Sequence, residues 1–415
     1  MKFFHTADVH LDSPLCGLDR YDGAPVDKLR GATRRALETL VDECISERVD
    51  FLLIAGDLYD GDWTDYNTGI FFIRQMARLR DVGIRVFIVR GNHDAKSKIL
   101  NLPDGVTELS TSRAESISLE DIGVCIHGRG YARVETKEDL SLTYPAPRRG
   151  QFNIGLLHTA AGGREGHADY APCTPSALAN KGYDYWALGH IHKREVLLER
   201  PWIVFPGNLQ GRHARETGPK GATLVTVEDG RIESVEHRTL DVARWAVCQV
   251  DASSASTPAD VVDLCRNALL RELDAAGQRA LCARVVVTGA SRAHAALTRD
   301  PDKFRIELCS AASDIGDVWI EKANVRTRTM ADLDKLARRD DPLGALLVHL
   351  RTIETDDAQL GKLAGTFDDI MSKLPTEYAQ HGTSFDPKNL DIMRRMVSEM
   401  AHYLLPELVS EGESP

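Results

Sequence analysis

Along the first 240 residues, short apolar runs alternate with stretches whose apolar positions recur every three or four residues. The runs at 2–7, 51–55, 84–89, 152–157 and 185–188, short, β-rich and largely apolar, predict buried strands. Between the first two, Leu29, Ala32, Ala36, Leu40 and Ile45 lie at helical spacing; between the next two, Ile70, Ile73, Met76 and Leu79 do the same. A hairpin is expected over 222–235, turning at Asp229-Gly230, a pair suited to two positive φ angles. Strand and helix in alternation predict a layered α/β domain over 1–240.

The pattern restarts at 244. A strand at 246–250, a linker at 253–257, a helix running to about Ala275, and strands at 283–287, 305–309 and 318–323 predict a small α/β domain over 244–328. The remainder, 330–415, reads as helical. Pro342 and Pro387 each follow an Asp, the order of N-cap and first helical residue. Leu360, Leu363, Phe367 and Ile370 form one apolar stripe, and Leu390, Met393, Val397, Met400 and Leu404 another. Such stripes either dock on the chain's own body or bind a partner.

Composition narrows the class of protein without naming it. With 415 residues, 43% hydrophobic and 27% charged, the chain has the make-up of a soluble globular protein of two or three domains. No apolar run is long enough to cross a bilayer and MKFFHTADVH does not read as a secretory leader, so the expectation is cytoplasmic, with no membrane partner. Eight cysteines are scattered without a CxxC pair, which predicts free thiols, most of them buried. A net charge of -11 argues against holding nucleic acid by bulk electrostatics. Residues 330–415 carry nine Lys/Arg and sixteen Asp/Glu, hence -7 of that total, so a local basic groove elsewhere is compatible with the count.

Candidate chemistry lies in five motifs, each directly after or at the end of a predicted strand: Asp8-Val-His10, Gly56-Asp57, Gly91-Asn92-His93-Asp94, His158, and Gly189-His190-Ile-His192. In open α/β sheets ligands gather at the carboxyl ends of strands, so these side chains are expected at one edge. Carboxylates, an amide oxygen and imidazoles suit hard or borderline divalent cations without any cysteine. Glycines before Asp57, Asn92 and His190 allow tight turns and close backbone approach. A lone DxH or a lone histidine is weak evidence; five motifs in order make a joint metal site the better reading. His5, His127 and His167 have no matching motif around them and read as core, surface or supporting groups.

This order of motifs resembles the calcineurin-like metallophosphoesterase superfamily, whose pattern is DxH, GD, GNH[DE], H and GHxH. The resemblance implies a layered metallophosphoesterase domain of two packed sheets flanked by helices. It implies that Asp8, His10, Asp57 and His192 hold one metal ion and Asp57, Asn92, His158 and His190 a second. His93 would then act on the phosphate, with Asp94 orienting its ring. The segments HTADVHLDSP, IAGDLYDGDW and PGNLQGRHARETGPKG closely resemble bacterial DNA repair exonucleases of the SbcD group, particularly its YhaO-like members. This second resemblance implies an Mn2+-dependent DNA nuclease with two divalent ions. It also implies a capping domain at 244–328, C-terminal helices that engage an SMC-like ATPase, and assembly as a homodimer.

One position departs from the archaeal and eukaryotic relatives: Asp60 stands where they carry a second catalytic histidine, and a carboxylate cannot protonate a leaving group at neutral pH unless its pKa is raised. Arg212, His213, Arg215 and Lys220 follow the PGN turn and are candidates for contact with nucleic-acid phosphates. The competing activity is hydrolysis of a small phosphodiester such as a cyclic nucleotide, with the later domains serving assembly only.

Overall fold

The computed structural model describes residues 1–13, 31–60, 66–96, 102–162, 170–277, 279–330, 333–373 and 386–410. The chain divides into two compact units: Met1–Val247 with Glu272–Arg284 and Asp317–Glu321, and Cys248–Arg271 with Val285–Gly316 and Lys322–Pro415.

The first unit is built on two six-stranded sheets. One contains β1 (Lys2–Thr6), β2 (Phe51–Ala55), β3 (Arg85–Val89), β4 (Val106–Glu108), β11 (Gly221–Glu228) and β12 (Arg231–Thr239), in the order β12-β11-β1-β2-β3-β4. The other contains β5 (Glu115–Leu119), β6 (Val124–Gly128), β7 (Phe152–His158), β8 (Tyr185–Gly189), β9 (Glu195–Glu199) and β10 (Trp202–Phe205), in the order β5-β6-β7-β8-β10-β9. Strands β1 to β4 run parallel, as do β6, β7, β8 and β10, so the carboxyl ends of the central strands of each sheet share a direction. Alternation along each strand divides its side chains between two cores. Phe3, Phe51, Leu53, Phe87, Ile154, Leu156 and Tyr185 fill the space between the sheets. Phe4, Leu52, Ile54, Val86 and Ile88 face outward onto two helices.

Those helices span Ala32–Glu47 and Tyr66–Asp81. The first buries Ala36, Leu37, Leu40, Val41 and Cys44 and ends at Arg48, whose φ of 52° turns the chain into β2; Leu29 lies outside the described residues. The second buries Phe72, Met76 and Leu79, whereas Ile70 is exposed. The hairpin turns at Asp229 (φ 48°) and Gly230 (φ 71°) as its dipeptide requires.

A third sheet holds β13 (Ala243–Asp251), β14 (Ala280–Ala290) and β15 (Val318–Arg328) in the order β13-β14-β15. The strand expected at 305–309 is instead the middle of a helix, Pro301–Ile315. Asp300 accepts from Lys303 N–H and Pro301 occupies the first turn, and this N-terminal signal outweighs the β-like run of Arg305 to Cys309.

In the second unit Asp341 caps the helix Pro342–Thr355 by accepting from Gly344 N–H, which satisfies one of the free backbone donors of the first turn. Pro387, in contrast, lies in a turn; Asn389 caps the next helix, Leu390–Ser410, accepting from Asp391 N–H. The two apolar stripes pack in one cluster, where Leu360, Met393 and Val397 meet Leu347 and Leu350. Ile370 and Leu404 remain exposed. Seven cysteines are free thiols, six of them buried, and Cys16 lies outside the described residues. No described helix is long and apolar enough to cross a membrane.

Candidate metal centre

All five motifs arrive at the same edge of the first unit. Asp8 and His10 follow β1, Asp57 follows β2, Asn92 and His93 follow β3, His158 closes β7, and His190 and His192 follow β8. The loops after β1 and β2 continue as paired backbone: Asp8 N–H donates to Gly56 O at 3.0 Å, His10 N–H to Asp57 O at 3.0 Å and Leu11 N–H to Leu58 O at 2.9 Å. Four of these residues hold positive φ without being glycine: Asp8 (49°), His10 (44°), Asp57 (51°) and His190 (107°). Side chains other than glycine seldom adopt this region, and such outliers cluster where function over-determines the backbone. At Gly91 a Cβ would collide with the Asp57 carboxylate, and at Gly189 with the carbonyl of Ala55. The two loops can close only because these positions have no side chain.

Among the described residues three groups of donors have their atoms within 4.8 Å of one another: Asp8, His10 and His192; Asp57, His158 and His190; and His10, Asp60 and His93, which shares His10 with the first and contains the more exposed His93. Asp57 also reaches toward the first group, because its Oδ2 is 3.5 Å from His158 Nε2 and 3.9 Å from His10 Nε2. Its other oxygen accepts from His93 N–H at 2.9 Å. Asn92 Oδ1 is 3.0 Å from His158 Nε2, and His192 Nε2 is 3.7 Å from Asp8 Oδ1.

Hydrogen-bond partners assign the ring tautomers. His158 donates from Nδ1 to Ala55 O at 2.9 Å, His192 from Nδ1 to Glu216 Oε1 at 2.6 Å, and His10 Nδ1 faces Asp60 Oδ1 at 3.5 Å. Each ring therefore turns a bare Nε2 lone pair inward. Those of His10 and His192 face each other at 3.2 Å, an acceptor against an acceptor. Two imidazoles bound to one cation at about 2.1 Å stand roughly 3.0 to 3.5 Å apart, so the pair has the spacing of neighbouring ligands.

The electrostatics agree. Burial pushes the Asp8 carboxyl well above its ordinary range, with the Asp57 charge adding to the effect, and burial raises Asp57 to about 6. Burial lowers His10 and His158 to about 3, which keeps both rings neutral. Neutral imidazoles around carboxylates that burial and one another destabilise as anions form a donor set that divalent cations satisfy. The residues present thus fit two such ions.

His93 stands apart from the buried donors, its side chain 42% exposed, with Nδ1 donating to Asp60 Oδ1 at 3.0 Å. That hydrogen bond raises the His93 pKa, against the opposing effect of burial. The adjacent His10 and His93 rings hold Asp60 far below the usual carboxylate range, and Ser13 Oγ donates to its other oxygen at 2.7 Å. Asp94 does not orient the His93 ring, contrary to expectation. It is buried, and its oxygens accept from the backbone N–H groups of Leu58, Tyr59 and Gly91 at 3.2, 2.9 and 3.0 Å, clasping two motif loops together.

The candidate phosphate-binding loop is also used differently. Arg212 is 13% exposed and lies 3.6 Å from Asp60 and 3.4 Å from Glu216; His213 Nε2 lies 3.4 Å from Glu216. Lys220 is buried and donates to His192 O at 2.7 Å. Arg215 alone of the four is exposed. The residue that sequence reasoning missed is Glu216. Its Oε1 orients His192, and its Oε2 accepts from Asn208 Nδ2 at 2.9 Å and Arg212 N–H at 2.7 Å. Although burial opposes the charge, the His192 hydrogen bond and Arg212 hold this carboxyl well below its usual range. A carboxylate behind a ligating histidine fixes its tautomer and raises its basicity. The only signal in the sequence was the PGN-to-Glu216 segment itself, where nearby Arg and His drew the eye. His5 is core: Nε2 donates to Leu188 O at 3.1 Å, and Nδ1 accepts from Tyr185 at 3.0 Å. His127 is bound by Ser116 and Asn153, and His167 lies outside the described residues.

Residues 245–328 match the middle domain of the metallophosphoesterase YhaO. The uncharacterized metallophosphoesterase YhaO of Bacillus subtilis is 37% identical over 262 residues, 61% of this chain and 64% of that protein. The DNA double-strand break repair protein Mre11 of Methanopyrus kandleri is 24% identical, over 56% of this chain and 51% of that protein. Its namesake from Sulfurisphaera tokodaii is 25% identical, over 61% of this chain and 66% of that protein. The chain thus spans less than two thirds of the length of each of these relatives. A dimetal phosphatase from Danio rerio aligns at 14% identity with a TM-score of 0.33, over 55% of this chain and 93% of that one. Residues 1–194, which contain every donor of all three groups, match the calcineurin-like phosphoesterases.

Proposed function

We propose that the chain is a two-metal phosphodiesterase acting on DNA, an Mn2+-dependent exonuclease or endonuclease of DNA repair. The observation that carries the two-metal reading is Asp57, whose Oδ2 lies between His10 and His158 while each belongs to a separate donor group. Asp8, His10, Asp57 and His192 would hold one ion, and Asp57, Asn92, His158 and His190 the other. When bound, the two ions supply Lewis acidity toward the phosphate and activate water.

The chain's own contribution centres on His93. Its Nδ1–H is held by Asp60, so Nε2 is the atom that meets the phosphate, and the raised pKa keeps a proton there for the leaving oxygen. Asp60 thus acts through His93, and need not donate a proton itself. Arg212, pinned by Asp60 and Glu216, contributes a positive charge to the same side.

DNA is favoured by the repair proteins among the relatives and by the match of residues 245–328 to the YhaO middle domain. We assign nuclease chemistry to 1–240, capping to 244–328 and partner binding to 330–415. An SMC-like ATPase would engage the last region, whose exposed Val348 and Ile370 suit a protein partner, and the assembly would be a cytoplasmic homodimer. Purified full-length chain with Mn2+ should be assayed side by side on labelled duplex DNA, single-stranded DNA and cyclic nucleotides. DNA cleavage that disappears on chelation is the expected result; turnover confined to cyclic nucleotides would overturn the assignment.

A further inference from the structure

The second compact unit contains a cleft of about 690 Å³ between the end of β15 and the helix Leu390–Ser410. Arg326 and Arg328 project into it from the same side of the strand, two residues apart, and Arg395 from the helix. None of these three guanidinium groups makes an ion pair or side-chain hydrogen bond among the described residues, while the adjacent Arg394 is paired with Asp357 at 2.7 Å and Asp391 at 2.9 Å. Among the described residues that line the cleft, Glu399 is the one acid. Arg395 contributes its charge from within the acidic stretch 330–415, and Arg326 and Arg328 come from the strand just before it.

Two further features mark a built site. His294 is buried and ties the walls together, with Nδ1 2.8 Å from Thr327 Oγ1 and Nε2 donating to His402 O at 2.9 Å. His402, also lining the cleft, has its Nδ1 shielded from solvent and without a hydrogen-bond partner among the described residues. Burial first, and then the neighbouring His294 and Arg328, lower the His402 pKa, so a proton there is disfavoured until an anion arrives.

We infer that this cleft binds a nucleoside phosphate. Arginine forks match phosphate oxygens in pairs, which favours phosphate over a single carboxylate. The volume falls within the usual span of small-ligand pockets and admits one nucleotide unit. Val325, Ile392 and Met396 provide an apolar surface for the base. The same chemistry is offered by a free nucleotide or by one unit of a strand.

The test is titration of the full chain with a fluorescent N-methylanthraniloyl-ADP, repeated on Arg395→Ala and on the double variant Arg326→Ala/Arg328→Ala. Both variants should weaken binding by roughly tenfold or more, with thermal unfolding and hydrolysis of bis(p-nitrophenyl) phosphate unchanged. Displacement by ADP and by oligothymidylate distinguishes the two sources: equal potency per nucleotide indicates a free nucleotide, and a large advantage for the oligomer indicates a strand. The inference is overturned by absence of saturable binding, by undiminished binding in both variants, or by a Glu-rich peptide that displaces the probe better than ADP does. Because the metal centre is intact throughout, failure here is distinguishable from failure of the proposed nuclease activity.

Discussion

The two donor groups of the metal centre are held by different means. The Asp57, His158 and His190 group is buried throughout, and the His158 ring is oriented by a main-chain carbonyl, Ala55 O. In the Asp8, His10 and His192 group, the His192 side chain is 22% exposed and is oriented by Glu216, which is itself bound by Arg212 and Asn208. A carbonyl within a sheet moves only if the sheet moves. A carboxylate on a loop can be replaced without disturbing the strands. The Asp57 group is therefore a fixed part of the fold, and the Asp8 group is adjustable from outside the ligand set.

Substitutions can break this comparison at several levels. Asp57→Ala, which removes the atom shared by both groups, should reduce metal content from two ions per chain to near zero and turnover to background. Two ions retained by elemental analysis would contradict sharing. His93→Ala should slow hydrolysis by roughly 10²- to 10⁴-fold while leaving metal content at the wild-type level; metal loss in that variant would make His93 a ligand. Glu216→Gln should weaken one metal-binding step by about 10- to 100-fold and leave the other unchanged. Equal weakening of both steps in a metal titration would remove the distinction between the groups.

The smallest effect concerns His5, which bridges the two sheets beneath the site without reaching it. Burial lowers its pKa to about 3, so the unfolded chain takes up a proton near pH 6.5 that the folded chain refuses. The associated stability is complete above pH 6.5 and is lost as pH falls toward 3. Between pH 7 and 5, urea unfolding of metal-free wild type should lose about 2 kcal/mol more than that of His5→Gln. Parallel pH slopes would show that His5 titrates normally.

Strands β1, β2, β3, β7 and β8 were legible because each carries apolar residues at successive positions, a pattern that follows from burial on both faces of a layered sheet. The helix Pro301–Ile315 was not legible in the same way: Arg305 to Cys309 alternates well enough for a strand, and only its capped start favours the helix. The C-terminal stripes were visible, but their mutual packing was not, since an amphipathic face does not say what covers it.

The sequence by itself determined the donors, because ligating atoms must be particular residue types at particular strand ends. It determined the glycines at 91 and 189 for the same reason, since no Cβ can occupy those approaches. Tertiary structure alone decided which carboxylate serves which ring. Asp94 is adjacent to His93 in the chain but is engaged by backbone amides, and Asp60, thirty-three residues earlier, takes its place. Glu216 reaches His192 across twenty-four positions. A hydrogen bond requires about 3 Å and an aligned donor, and between distant segments only the packing of the two sheets and their loops sets that distance.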